Sequence, residues 1–290
     1  MRQRLISAAV LVPVVVLAFL LGQPWLTLFV ALVAAAAAWE TARLVRLAGL
    51  GCEPVLAVVL TGGAVALAPY AATYRGDLQA FAVVGFFAAV IVLSAFAALR
   101  QPQPADGFRV WVGTVISIGY PTLLAALTAV LGRTPFRPAD SPFAGLDPGR
   151  MWVLILVLTI WSLDSVAYLA GRYHGRGRFM NHISPNKTWS GAIAGAIAAV
   201  VVCAALTVAA GQTVIAGVVL GFVIAVVAQA GDLTESMIKR AARVKDSGSL
   251  LPGHGGVLDR VDSFLFAAPV MLVAVVWFQT LPVPNLGTPI

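Results

Sequence analysis

Charge is scarce in this chain: only 11% of its 290 residues are Asp, Glu, Lys or Arg. A soluble domain carries roughly 25%, so a single soluble core is excluded. Cysteine is almost absent. Cys52 and Cys203 have no paired spacing that suggests a disulfide or a zinc site. The three histidines, His174, His182 and His254, are not spaced as metal ligands. No P-loop signature occurs, which argues against an ATPase of that type, and no Ser-His-Asp or Cys-His arrangement suggests a covalent nucleophile. No nucleic-acid-binding module is legible. The net charge of +7 is better read as basic residues marking the cytoplasmic side of a membrane and meeting anionic lipid.

Apolar sequence is what the chain has in abundance, at 60% hydrophobic residues and a mean hydropathy of +0.93. A membrane-crossing helix needs ~20 mostly apolar residues. Nine such spans are predicted, near 5–21, 24–39, 54–71, 79–98, 110–131, 151–171, 189–209, 212–230 and 263–281. The expected fold is an all-α, polytopic integral membrane protein. Short connections make it one integral domain over 1–290, with N-terminal spans over about 1–131 and a catalytic C-terminal half over about 151–281. No small-residue cleavage site follows Leu21, so the first apolar run reads as a retained span. Fifteen of the nineteen Lys and Arg residues fall on one side of this nine-span topology. That bias predicts a cytoplasmic N-terminus, an external C-terminus, and loops 172–188 and 231–262 together on the cytoplasmic face of the plasma membrane. Gly191/Gly195 and Gly217/Gly221 suggest close helix packing.

Ten of the 31 charged residues crowd between Asp232 and Asp262. Charge near lipid is costly unless it is used or solvated. Lys239, Arg240, Arg243 and Lys245 come first and suit phosphate oxygens. A Pro-Gly-His-Gly-Gly turn follows, in which His254 is flanked by Gly253 and Gly255 and could meet phosphate. Asp259, Arg260 and Asp262 come last. Asp232 with Glu235, and Asp259 with Asp262, are each spaced to share a helix face, so the two pairs could hold one or two Mg²⁺ ions. Asp164 lies within the sixth span, which marks it as a functional candidate. Tyr168 shares its face. The loop after it offers Arg172, Arg176, Arg178 and Lys187 amid glycines. Ser184-Pro-Asn186-Lys187-Thr188 opens the seventh span, and a helix N-terminus binds phosphate well.

These residues resemble a known family, the phosphatidate cytidylyltransferases, or CDP-diacylglycerol synthases. The similarity lies in Ser236-x-x-Lys239-Arg240, Lys245-Asp246, Leu251-Pro252-Gly253-His254-Gly255-Gly256 and Asp259-Arg260-Val261-Asp262. It extends to Asp164–Gly171, Ser184–Gly191 and Gln229-x-Gly231-Asp232-x-x-Glu235-Ser236. One departure is Ser190, where the family pattern usually has an acidic residue. The resemblance implies transfer of a cytidylyl group from CTP to phosphatidate, giving CDP-diacylglycerol and pyrophosphate, with Mg²⁺ alone or together with a second cation. It implies catalytic roles for Asp232, Lys239, Arg240, Lys245, Asp246, His254, Asp259, Arg260 and Asp262. Substrate contacts would come from Tyr168, Arg172, Ser184, Asn186, Lys187, Thr188, Ser236, Gly255 and Gly256. Metal ligation would come from Asp164, Asp232, Asp259 and Asp262. A homodimer is the family-based expectation. The competing reading is an ion-coupled transporter using Asp164 and the interfacial carboxylates. A CDP-alcohol phosphotransferase is a third reading, but its Asp-Gly-x-x-Ala-Arg opening is absent.

Overall fold

The computed structural model describes residues 2–73, 77–133, 141–253 and 255–280. Among the described residues ten helices account for the regular structure: α1 (Arg2–Leu21), α2 (Trp25–Leu47), α3 (Pro54–Thr73), α4 (Asp77–Ala98), α5 (Pro104–Thr122), α6 (Ala125–Leu131), α7 (Pro148–His174), α8 (Trp189–Ala209), α9 (Val214–Ala241) and α10 (Leu258–Thr280). Among these residues eight helical stretches are long and apolar enough to cross a membrane, with α5 and α6 together forming one of them, and α1 adds a shorter apolar stretch, Leu11–Leu21. The all-α, multi-pass architecture agrees with the sequence reading.

Several boundaries differ from those predicted. α2 and α9 continue past their first charges, to Leu47 and Ala241. Hydropathy drops at Glu40 and Asp232, but those side chains find partners and no helix breaker intervenes. At 28 residues, α9 is ~42 Å long against a ~30 Å hydrocarbon core. Its charged last turns therefore extend beyond the core as helix, and the loop expected over 231–262 shrinks to 242–257. α5 starts at Pro104, a favourable first-turn residue, with Asp106 in its first turn. It breaks after Pro121, whose missing N–H cannot continue the ladder, and α6 resumes the crossing.

In the C-terminal half α7 packs on α8, α8 on α9 and α9 on α10, while α2 packs on α3 and α5. Helices α6 and α2 reach α10, which joins the halves. α7 supplies much of the core through Met151, Trp152, Ile155, Leu156 and Ile160, all fully buried. Trp152 stacks on Phe278 of α10 at 5.1 Å. The two glycine pairs permit the closest helix approaches. A Cβ on Gly195 would lie 2.7 Å from Leu163 O on α7, and one on Gly221 would lie 2.8 Å from Val200 Cα on α8. The tight α8–α9 connection turns at Gly211, with φ +88°.

Loops 48–53, 99–103, 175–188 and 242–257 gather at one end of this up-and-down arrangement. At the opposite end, Arg150 Nη1 donates to Leu20 O at 3.0 Å and Ser141 Oγ donates to Ala209 O at 2.8 Å.

Candidate functional site

A cavity of about 540 Å³ opens at the end of the bundle that carries loops 175–188 and 242–257. Asp164, Tyr168, Gly171 and Arg172 line it from α7, and Asn186, Lys187, Thr188 and Gly191 from the loop and the start of α8. Gln229 and Asp232 face it from α9, and Ser263 from α10. The i, i+4 spacing of the helix stacks Asp164, Tyr168 and Arg172 in one row. Arg172 Nη1 donates to Tyr168 Oη at 3.0 Å.

Thr188 is the N-cap of α8, its hydroxyl accepting from Gly191 N at 3.1 Å. This leaves the positive end of α8 beside the cavity. Lys187, immediately before the cap, reaches across to α9 and pairs with Asp232 at 2.6 Å. Ser236, one turn along α9, sits 3.5 Å from the other Asp232 oxygen. Asp164, Asp232 and Asp262 come from three different helices and lie within electrostatic reach of one another. Asp262 Oδ1 accepts from Ser263 N at 2.7 Å. Cation and carboxylate thus share a cavity with a helix N-terminus, which is chemistry suited to phosphate.

Asp259 and Asp262 lie one turn apart at the start of α10 but find different partners. Neither is among the residues that line the cavity. Asp259 Oδ1 accepts from Lys239 Nζ at 2.7 Å. Its Oδ2 accepts from Ser247 N at 3.0 Å and Gly256 N at 2.8 Å and lies 2.9 Å from Ser247 Oγ. The physical reason is local: at the start of α10 a carboxylate finds unpartnered N–H groups within one turn. Lys239 also pairs with the fully buried Glu235. Its ammonium lies between two carboxylates, and it does not line the cavity.

Arg240 Nε donates to Ile183 O at 3.2 Å, tying α9 to the 175–188 loop. Ser184 belongs to the turn of that loop, its carbonyl accepting from Lys187 N at 3.3 Å. Lys245, Asp246 and Arg260 are exposed near the same end. Gly255 adopts φ +80°, a left-handed conformation that favours glycine, and Gly256 is buried. His254 lies outside the described residues. Ser190 has a hydrogen-bonding role of its own, accepting from Arg176 N at 3.0 Å.

Sequence reasoning missed Glu40 and Arg43 of α2, which reach the 242–257 loop. It also missed Tyr120, whose hydroxyl is buried without a hydrogen-bond partner within electrostatic reach of Asp232 and Asp262. For Glu40 the signal was present: an acid in an apolar span, the same rule that singled out Asp164.

Residues 2–278 match the model of the Cytidylyltransferase family. The chain belongs to that family. Among curated relatives, the phosphatidate cytidylyltransferase of Haemophilus influenzae is 31% identical over 287 residues, covering 93% of this chain and 96% of that protein. The phosphatidate cytidylyltransferase of Brucella suis is 44% identical over 149 residues, 50% of this chain and 53% of the relative. That of Bacillus subtilis is 39% identical over 133 residues, 45% of this chain and 49% of the relative. The match thus spans about half the length of the latter two relatives and nearly all of the first.

Magnesium suits the donors in the cavity. It is commonly held by one or two carboxylates, completed by waters and substrate phosphates. Among the described residues no three His, Cys, Asp or Glu side chains converge as a ready-made metal cage. Asp164 and Asp232, the two carboxylates that line the cavity, fit an ion whose shell phosphate and water would complete, and Asp262 lies within electrostatic reach of both.

Proposed function

We propose that the protein transfers the cytidylyl group of CTP to phosphatidate, releasing pyrophosphate and forming CDP-diacylglycerol for phospholipid synthesis. The observation that carries this reading is the cavity, where Lys187, Arg172 and the α8 N-terminus face Asp164 and Asp232. Membership of the family and the names of its relatives support the same reaction.

The chemistry needs little covalent help from the protein. A phosphate monoester has its second pKa near ~6 and is largely dianionic at neutral pH. One oxygen of phosphatidate can attack the α-phosphorus of CTP while the bond to the β-phosphate oxygen breaks. Catalysis then rests on alignment and charge neutralisation. Lys187, held beside the α8 N-terminus, and Arg172, held by Tyr168, would orient phosphate oxygens. Asp164, Asp232 and Asp262 would hold Mg²⁺, which when bound neutralises developing charge and supports the departing pyrophosphate. Trp161, Leu169 and Ile193 on α7 and α8 are exposed apolar side chains, and lipid tails can stay in the bilayer beside them.

The cation bias supports a site facing the cytoplasm, where CTP is found, with the N-terminus inside and the C-terminus outside the plasma membrane. The ion-coupled transporter reading has no support from the comparisons, and Lys187 occupies Asp232, the carboxylate a cation path would need. Purified protein in mixed micelles with labelled CTP, phosphatidate and Mg²⁺ tests the proposal. CDP-diacylglycerol and pyrophosphate in equal amounts are expected, and no labelled lipid under any metal would overturn it.

A further inference from the structure

Glu40 is 1% exposed on α2, in the run Ala37-Ala38-Trp39-Glu40-Thr41-Ala42. A carboxylate buried there is costly unless its lone pairs are engaged. They are engaged by residues more than 200 positions away. Oε2 accepts from Leu258 N at 2.8 Å and Ser247 Oγ at 3.0 Å, and Oε1 accepts from Val257 N at 3.1 Å.

Val257 and Leu258 supply N–H groups at the start of α10, where no carbonyl of the same helix is available. Glu40 caps α10 from another helix, and the positive end of that helix favours its charge. One turn along α2, Arg43 Nη1 donates to Ser247 O at 3.1 Å. Ser247 is thus gripped at hydroxyl and carbonyl by α2, and its hydroxyl also lies 2.9 Å from Asp259 Oδ2.

Two glycines are shaped around this carboxylate. A Cβ on Gly248 would lie 2.1 Å from Glu40 Oε1, and its three nearest atoms would all belong to Glu40. A Cβ on Gly256 would lie 2.4 Å from Glu40 Oε2 and 2.0 Å from Ser247 Oγ.

We infer that Glu40 is a positioning residue of the transferase site: pressed against the N-terminus of α10, its carboxylate sets the register of the helix carrying Asp262 and the shape of the 242–257 loop. This rests on the transferase reading. A displacement of about 1 Å at a reacting centre can cost ~100-fold in rate, so the N-terminal half of the chain controls the geometry of a cavity it does not line.

The test compares Glu40→Gln, Glu40→Ala, Gly248→Ala and the double variant Glu40→Ala/Gly248→Ala with the wild type in detergent. Turnover is normalised to folded protein from thermal melts, and tryptic cleavage at Arg243 and Lys245 reports the loop without any substrate. Expected are a kcat about 100-fold lower in Glu40→Ala, a smaller loss in Glu40→Gln, a phosphatidate KM within about twofold of wild type, and faster cleavage at Arg243 and Lys245. Gly248→Ala, which keeps the charge but displaces it, is expected to lower kcat too. The double variant is expected to be no worse than Glu40→Ala, because the clash has gone.

Wild-type kcat per folded molecule together with unchanged loop cleavage would overturn the inference, even if the yield of folded protein drops, since Glu40 would then be a general stabiliser. A wild type that makes no CDP-diacylglycerol would instead overturn the transferase reading, and loop cleavage would still report on the clamp.

Discussion

Lys187 and Asp232 face each other across the cavity at 2.6 Å, one from the α8 cap and the other from α9. Both are partly exposed, so the pair contributes little to stability. On the proposed function it serves as a preformed charge pair that phosphate and metal would divide between them. Lys187→Ala is expected to raise the KM for a phosphate-bearing substrate by about 10- to 100-fold, from a lost charge-assisted contact of ~1.5–3 kcal/mol. Lys187→Arg is expected to recover part of it. Steady-state kinetics with CTP and phosphatidate varied separately identifies the substrate, and unchanged constants for both would refute the assignment.

Asp164 lies in the same row as Tyr168 and Arg172 and lines the cavity. Asp164→Asn keeps the size of the side chain and removes its charge. Activity is expected to fall by at least about tenfold, the equivalent of ~1.4 kcal/mol at the transition state, with the melting temperature retained and more Mg²⁺ needed for half-activation. Normal turnover at low Mg²⁺ would make Asp164 structural.

Asp259 and Asp262 are expected to fail differently when neutralised. Asp259 holds Lys239, Ser247 and Gly256 together. Asp259→Asn should cost about 1–3 kcal/mol of stability, because it sets an amide donor against groups that are themselves donors. Raised Mg²⁺ should not restore its activity. Asp262→Asn should leave stability nearly intact, lower turnover by orders of magnitude, and respond to raised Mg²⁺ or Mn²⁺. Thermal melts with a metal titration on both variants check this, and identical behaviour of the two would contradict the separation seen in the structure.

Gly231 is the point at which α9 meets α10, since a Cβ there would lie 2.5 Å from Asp262 O. Gly231→Ala forces the helices apart beside the cavity. Overpacking of this kind costs about 1–3 kcal/mol, and activity should fall further than stability does. A variant with wild-type melting temperature and turnover would show that the contact yields freely.

The orientation is open to direct labelling. Cysteine introduced at Arg176 or Lys245 should resist a membrane-impermeant maleimide applied to intact cells, and cysteine at Arg133 should react. Labelling at 245 but not at 133 would invert the proposed topology.

Local properties of the sequence determined that the chain forms apolar helices and roughly where they lie. Spans of apolar residues must satisfy their backbone groups internally, so helices follow from composition alone. The gathering of the charged loops at one end is legible for a similar reason, because charge cannot settle at random along a membrane protein. Spacing along one helix was also sufficient to group Asp164, Tyr168 and Arg172, and the Thr188 cap follows from its position before α8.

Only the tertiary structure decided which acids meet. Asp259 and Asp262 have the same spacing as any pair of residues one turn apart, and nothing local says that one is held by Lys239 and Ser247 while the other nears Asp232 and Asp164. Those partners arrive from different helices, and a hydrogen bond depends on where chains cross. The same holds for Glu40, whose acceptors are filled by Ser247, Val257 and Leu258. Gly248 and Gly256 look like ordinary loop glycines in the sequence, and it is packing against a carboxylate from α2 that leaves no room for a side chain at either position.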